Sequence, residues 1–379
     1  MKKLAIFLPA PTPFYQTLLQ QLTTAFARTG LSVHGGTTLL GEEELILFCR
    51  SFQPDAIFEM NRCRWEIPAL PPSVRHISWI VDTLGRPMER LGGSDLLYFF
   101  GYNWFVRHPR TGSTVVDWLP PGSCQRTYHF EEWHEGIHSC SFVGHISFPW
   151  SQEELQRPLM TESDRVIRFQ DFLPEYESVL QKNAQRGFDN DDYVRLGLEV
   201  MTQRLEIHPQ LDLVLRYDIG CRVIRMRNRQ RLLDLALATG TEPIFHGTGG
   251  WQAWPKYQPF FQGPLEDPND VCRLYQDSRV NLHEGVGIHF RSMDCMSSGG
   301  VLFYLASEDD DQPGGINTLF SPETHFVSAT VENFSMKFEE IMHHPEKRRQ
   351  IARNAAREIR AHHTWDHRAA RILADLGQL

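Results

Sequence analysis

The feature that most constrains this chain is an alternation of short apolar runs with helical stretches. Leu4 to Leu8, Leu31 to Val33, Asp55 to Met60, His76 to Val81, Asp95 to Phe100 and Val115 to Leu119 are brief, nearly unbroken apolar runs. Between the first two lies Tyr15 to Thr29, where Leu18, Leu19, Leu22 and Phe26 recur at helical spacing until Gly30 stops the pattern. Glu42 to Phe52 repeats it and Pro54 breaks it. Strands covered on both faces read as continuous apolar runs, and strands separated by helices pair in parallel. Residues 1–136 are therefore expected to form a doubly wound α/β domain.

A second α/β unit is expected over residues 137–362. It opens with S-C-S-F-V-G-H from Ser139 and resumes with a helix from Arg225 to Thr239, a strand from Pro243 to His246 and a helix from Val271 to Asp277. Between them, about 150–216, the pattern changes to polar helices (Glu153 to Leu159, Phe172 to Gln185, Asp192 to Leu205), read as a helical insertion. Helices are expected from Val331 to His343 and Glu346 to His362. A tail over 363–379 places Ala369, Ile372, Leu373 and Leu376 on one helical face, which predicts that it crosses back to the first domain. Two such domains imply a cleft, with ligands at the carboxyl ends of the strands.

Composition narrows the class. At 41% hydrophobic residues, core material is ample for the 379 residues. The chain has 38 basic and 47 acidic side chains, so no broad basic surface for nucleic acid is implied. No apolar run reaches a membrane-spanning length. Lys2-Lys3 followed by L-A-I-F-L is read as a first buried strand rather than a leader, because prolines interrupt it. Seven scattered cysteines without C-x-x-C fit a reduced, cytoplasmic chain.

Chemistry concentrates in Asn281 to Phe303, N-L-H-E-G-V-G-I-H-F-R-S-M-D-C-M-S-S-G-G-V-L-F. An apolar segment enters a glycine-bearing loop, then a helix carrying His289, Phe290, Arg291 and Asp294 that ends at Gly299-Gly300. A helix N-terminus and a first-turn arginine suit phosphate oxygens, and an acid lower on the helix can accept from ribose hydroxyls. Glu284 falls where a sugar hydroxyl would sit. This reads as a nucleoside-diphosphate site.

These residues resemble the GT-B glycosyltransferases, and within them the CgeB-like (spore-maturation-protein-like) group. The resemblance rests on Asn281-Leu282, His289-Phe290-Arg291, Asp294, Met296-Ser297 and Gly299-Gly300, on His363-Thr364-Trp365-Asp366-His367-Arg368, on Phe142 to Gly144 and on Ser78 to Asp82. It implies the GT-B fold, two Rossmann-like domains facing a cleft, and transfer of a sugar from a UDP-, GDP- or dTDP-sugar to a glycan, protein or small-molecule acceptor. One position departs: retaining enzymes of this fold carry Glu-x7-Glu, but eight residues before Asp294 stands Val286, with Glu284 two residues further back.

Further site residues follow from position. Gly144 and His145 close a strand and would line the donor crevice with Gly247, Thr248 and Gly249 of the G-T-G-G-W loop. Arg216, Arg222, Arg225, Arg227 and Arg229 form a basic cluster; Arg222 and Arg225, with Arg291, are expected to neutralise diphosphate. Asp82, then Glu59, are the expected bases for an acceptor hydroxyl, with Asn61 beside them and Thr12 following the first strand. No metal is expected: Asp189-Asn190-Asp191 reads as a helix cap, and the histidines near His363 lack H-E-x-x-H. No other cofactor is implied, and A-P-T-P in place of G-x-G-x-x-G after the first strand argues against a dinucleotide oxidoreductase. A sugar-nucleotide epimerase and a non-catalytic sugar-nucleotide or glycan binder are the alternatives.

Overall fold

Strand order carries the architecture. In the computed structural model, which describes all residues except 84, 163–164, 183–189, 286 and 379, the first half supplies six strands. They are β1 (Lys3–Phe7), β2 (Ser32–Gly36), β3 (Ala56–Met60), β4 (Arg75–Ile80), β5 (Leu96–Phe99) and β6 (Val115–Trp118). All pair in parallel in the order β2-β1-β3-β4-β5-β6. The second half supplies β7 (His138–Val143), a hairpin of β8 (Pro158–Glu162) and β9 (Arg165–Arg168), then β10 (Pro243–His246), β11 (Ser278–His283), β12 (Leu302–Leu305) and β13 (Val327–Ala329). Its parallel sheet runs β10-β7-β11-β12-β13. In each sheet the direction of winding reverses beside the first strand, between β1 and β3 and between β7 and β11. That reversal opens a crevice at the strands' carboxyl ends.

The helices cover the sheets. In the first domain they are α1 (Pro13–Ala27), α2 (Glu42–Phe52) and α3 (Tyr102–Arg107). Thr12 caps α1 by accepting from the Tyr15 amide at 3.3 Å. The insertion holds α4 (Gln152–Gln156), α5 (Phe169–Lys182), α6 (Asn190–Arg204) and α7 (Leu213–Tyr217) around its own core of Phe169, Phe172, Tyr176, Met201 and Ile219. The helix expected from Glu153 to Leu159 is shorter than that. Pro158 forces extended backbone before it, and the β8–β9 hairpin begins there. Asp189 of the acidic triplet and Val286 lie outside the described residues.

A π-turn at Asp218–Arg222 joins α7 to α8 (Val223–Ala238). Then come α9 (Pro268–Asp277), α10 (Phe290–Ser297), α11 (Phe334–His343), α12 (Pro345–His362) and α13 (Trp365–Gly377). Ala369 and Ile372 of α13 sit in the first-domain core. Trp365 Nε1 donates to Gln21 Oε1 at 2.9 Å, Tyr98 Oη donates to Asp375 at 2.6 Å, and Arg368 Nε donates to the Pro120 carbonyl at 2.8 Å. The domains also meet through α10. Phe290 stacks on Phe100 with centroids 5.3 Å apart and meets Trp79 edge-on at 5.7 Å.

Candidate functional site

At the β7/β11 crevice the chain gathers opposite charges. β11 ends in His283 and delivers Glu284, 6% exposed, to the strand tip. Arg229, from the second turn of α8, donates to Glu284 Oε1 from Nε at 3.0 Å and from Nη2 at 2.9 Å. Arg291, in the first turn of α10, donates to the same oxygen from Nη2 at 2.8 Å and to the Val143 carbonyl from Nη1 at 2.8 Å. Arg229 also donates to the His145 carbonyl, and Arg225 Nη1 lies 3.0 Å from His145 Nε2. Two arginines from different helices thus converge on one carboxylate oxygen.

Charge sets their protonation. Burial resists the Glu284 anion, but Arg291 and Arg229 hold its carboxyl well below the usual range. His145 falls to about 3 through burial and the neighbouring Arg229, Arg225 and Arg291, so its ring is neutral at pH 7. His283 falls to about 4, chiefly through burial. Among the described residues several atoms have no hydrogen-bond partner: Glu284 Oε2, Arg291 Nε and both His283 ring nitrogens. Buried polar atoms are normally satisfied, so such a concentration at one strand tip points to an external partner.

Two glycines make room. A side chain at Gly144 would run into the Arg291 guanidinium, and one at Gly247 would strike the Gly144 carbonyl. Thr248 and Gly249 are exposed at the start of a short 3₁₀ turn, and Trp251 anchors that turn by donating to the Gly144 carbonyl at 2.9 Å.

His289 is the N-cap of α10: its Nδ1 accepts from the Arg291 amide at 3.3 Å. Asp294 lies apart from the arginine cluster, accepting from the Ser123 hydroxyl at 2.7 Å where the segment after β6 meets α10. Burial pushes its carboxyl up to about 8.

Three expectations are corrected by geometry. Phe290 packs into the first-domain core with Trp79, Phe100 and Trp365, so it docks domains and does not bind donor. Arg222 covers Trp150 at 3.9 Å, pairs with Glu154 and donates to the Phe148 carbonyl at 3.1 Å, which ties it to the insertion. Glu59 is fully buried, with Arg62 on both oxygens and His76 Nε2 at 3.2 Å, so it is not available to an acceptor.

Asp82 lies exposed just past the end of β4. Its amide and that of Val81 donate to Asn61 Oδ1 at 2.8 and 2.7 Å, and Asn61 takes a left-handed backbone (φ 62°) to present that oxygen. Asp82 faces the π-turn closely enough to help raise the Cys221 thiol, after burial. Arg216, on α7, pairs with Asp191 at 2.9 Å.

Arg229 was legible only as one member of the basic cluster. The signal that singles it out is spacing: Arg222, Arg225 and Arg229 share a helical face, whereas Arg227 does not. Ser123 carried no local signal. Among the described residues, no cluster of three or more His, Cys, Asp or Glu side chains is arranged for a metal, and no helix is long and apolar enough to cross a membrane.

Residues 227–374 match the family model described as glycosyl transferase-like. No curated protein matches the chain. Among solved structures, sucrose-phosphate synthase from Thermosynechococcus elongatus is similar at TM-score 0.57 and 9% identity, covering 100% of this chain and 99% of that one. An α-glucosyltransferase in complex with UDP and a mismatched 13-mer DNA is similar at 0.55 and 10%, covering 99% of each chain. AviGT4, a glycosyltransferase involved in avilamycin A biosynthesis, is similar at 0.54 and 12%, covering 100% and 98%. The fold is GT-B. With the glycosyl transferase-like segment, it supports a glycosyltransferase.

Proposed function

We propose that this chain moves a sugar from a nucleoside-diphosphate sugar to an acceptor hydroxyl, without a metal. The observation that carries the reading is the convergence of Arg229 and Arg291 on Glu284 at the β7/β11 crevice. A diphosphate entering there competes for the two guanidinium groups, beside the positive end of α10. Glu284 Oε2 is then positioned to accept from a sugar hydroxyl. As the bond from the anomeric carbon to the diphosphate breaks, charge grows on the leaving oxygen, and fixed cations there stabilise it with no reorganisation. The acceptor oxygen bonds to the anomeric carbon and gives its proton to Asp82 from the first domain.

The CgeB-like resemblance belongs to the same proposal. UDP is the first nucleotide to try, since an α-glucosyltransferase of this fold was solved with it.

The test is incubation with UDP-, GDP- and dTDP-sugars, with and without an acceptor panel, reading diphosphate release and acceptor mass. Release coupled to a one-sugar mass gain, undiminished in EDTA, is the expected result. An isomerised sugar nucleotide without release would make the protein an epimerase. Binding with neither release nor isomerisation would make it a non-catalytic binder. Loss in EDTA with rescue by manganese or magnesium would overturn metal independence.

A further inference from the structure

Behind the crossover between domains lies a second cavity, of about 310 Å³, unrelated to the donor crevice. Its walls are one face of α1 (Gln21, Thr24, Arg28), the segment leaving the first domain (Ser123 to Arg126) and the first turn of α13. The two chain segments pair locally. Ser123 N donates to the His363 carbonyl at 3.0 Å, and Trp365 N donates to the Ser123 carbonyl at 3.2 Å.

Gln21 is the informative residue. It is 7% exposed, and the Trp365 indole fixes its amide by donating to Oε1 at 2.9 Å. Nε2 must then be the donor end, and it has no partner. An unsatisfied buried donor costs free energy that a bound acceptor recovers. The charged groups of the lining are two arginines and the Asp366 carboxylate. Arg28, paired with Asp366 at the rim, and the exposed Arg126 add cationic groups, and the N-terminus of the 13-residue α13 adds a positive dipole end.

We infer that this cavity binds a small phosphate monoester, its oxygens accepting from Gln21 Nε2 and Arg126 beside the N-terminal end of α13. The volume exceeds what a bare phosphate needs, so a short polar carbon skeleton fits beside the anion. Such a ligand would touch α1, the exit segment and the returning helix at once, and so brace the crossover.

The site is read by thermal shift and calorimetry, with glycerol 3-phosphate and inorganic phosphate as probes and acetate and chloride at matched ionic strength as controls. Wild type should gain stability with the phosphate probes and not with the controls. Arg126→Ala, at an exposed position that leaves the core intact, should bind the monoester at least about tenfold more weakly, as loss of a charge-assisted contact does. Gln21→Leu should weaken it as well. Arg291→Ala should leave it unchanged, which separates this site from the donor crevice whatever the fate of the transferase reading. Equal affinity in wild type and Arg126→Ala, or loss in Arg291→Ala, would overturn the inference, as would equal shifts with acetate.

Discussion

The two sheets share one strand order, yet their crevices are finished differently. At the β1/β3 end of the first sheet, Glu59 is closed off by Arg62 and His76, and both of its oxygens are used. At the β7/β11 end of the second, Arg229 and Arg291 crowd onto a single oxygen of Glu284, leaving Oε2, Arg291 Nε and the His283 ring without partners. Both carboxylates are buried and ion-paired. The difference is saturation: among the described residues the first network is fully paired, and the second keeps polar atoms without hydrogen-bond partners, which is the opening the proposed donor site uses. Topology places a crevice at both ends, and side-chain satisfaction is what separates the proposed donor site from its counterpart.

The comparison can be broken in order of effect. Asp82→Asn removes the proposed acceptor base and should lower kcat by roughly 10²–10⁴-fold, the usual span for general-base catalysis, while diphosphate affinity stays put. Full turnover in the mutant would move the base elsewhere in the cleft.

Glu59→Ala should instead cost about 3–5 kcal/mol of stability, because it leaves a buried guanidinium uncompensated. Urea unfolding measures it, and the folded mutant should bind nucleoside diphosphate as wild type does. A selective loss of binding would make the two crevices one functional unit.

Arg291→Ala should weaken nucleoside-diphosphate binding by about 1.5–3 kcal/mol and the parent nucleoside far less. Titration of both ligands checks it, and equal affinity for the diphosphate would remove Arg291 from the site.

A pH effect, outside that ranking, lies at the junction. Asp294 has its carboxyl raised to about 8 from an ordinary 3.8, so the native state holds a proton that the unfolded chain releases. Stability should therefore fall as pH rises from about 4 to about 8 and level off above it. Asp294→Asn should flatten that window in denaturation series, and an unchanged slope would show that Asp294 is not its source.

Much of the frame was legible because buried parallel strands announce themselves as apolar runs, and β1, β3, β4 and β11 all did. The β8–β9 hairpin was not, since its strands are short and mix apolar with charged residues, and the break at Pro158 falls inside what reads as one helical stretch. Asp82 and Glu59 look alike in sequence, as acids near strand ends. What separates them is His76, 17 residues from Glu59 on the neighbouring strand, a relation that exists only once the sheet forms. Phe290 failed for a similar reason: its ring belongs to the first domain's core although its helix belongs to the second. Arg229 could have been chosen from its helical face, but only its meeting with Glu284, 55 residues on, marks it as a site residue.

The most direct test is a crystal structure of the chain with whichever of UDP, GDP or dTDP binds tightest. The account predicts the diphosphate within hydrogen-bonding distance of Arg229 and Arg291 at the ends of β7 and β11, with the Glu284 pairing loosened. A diphosphate seated at the ends of β1 and β3, with the Arg229–Glu284–Arg291 cluster undisturbed, would contradict it.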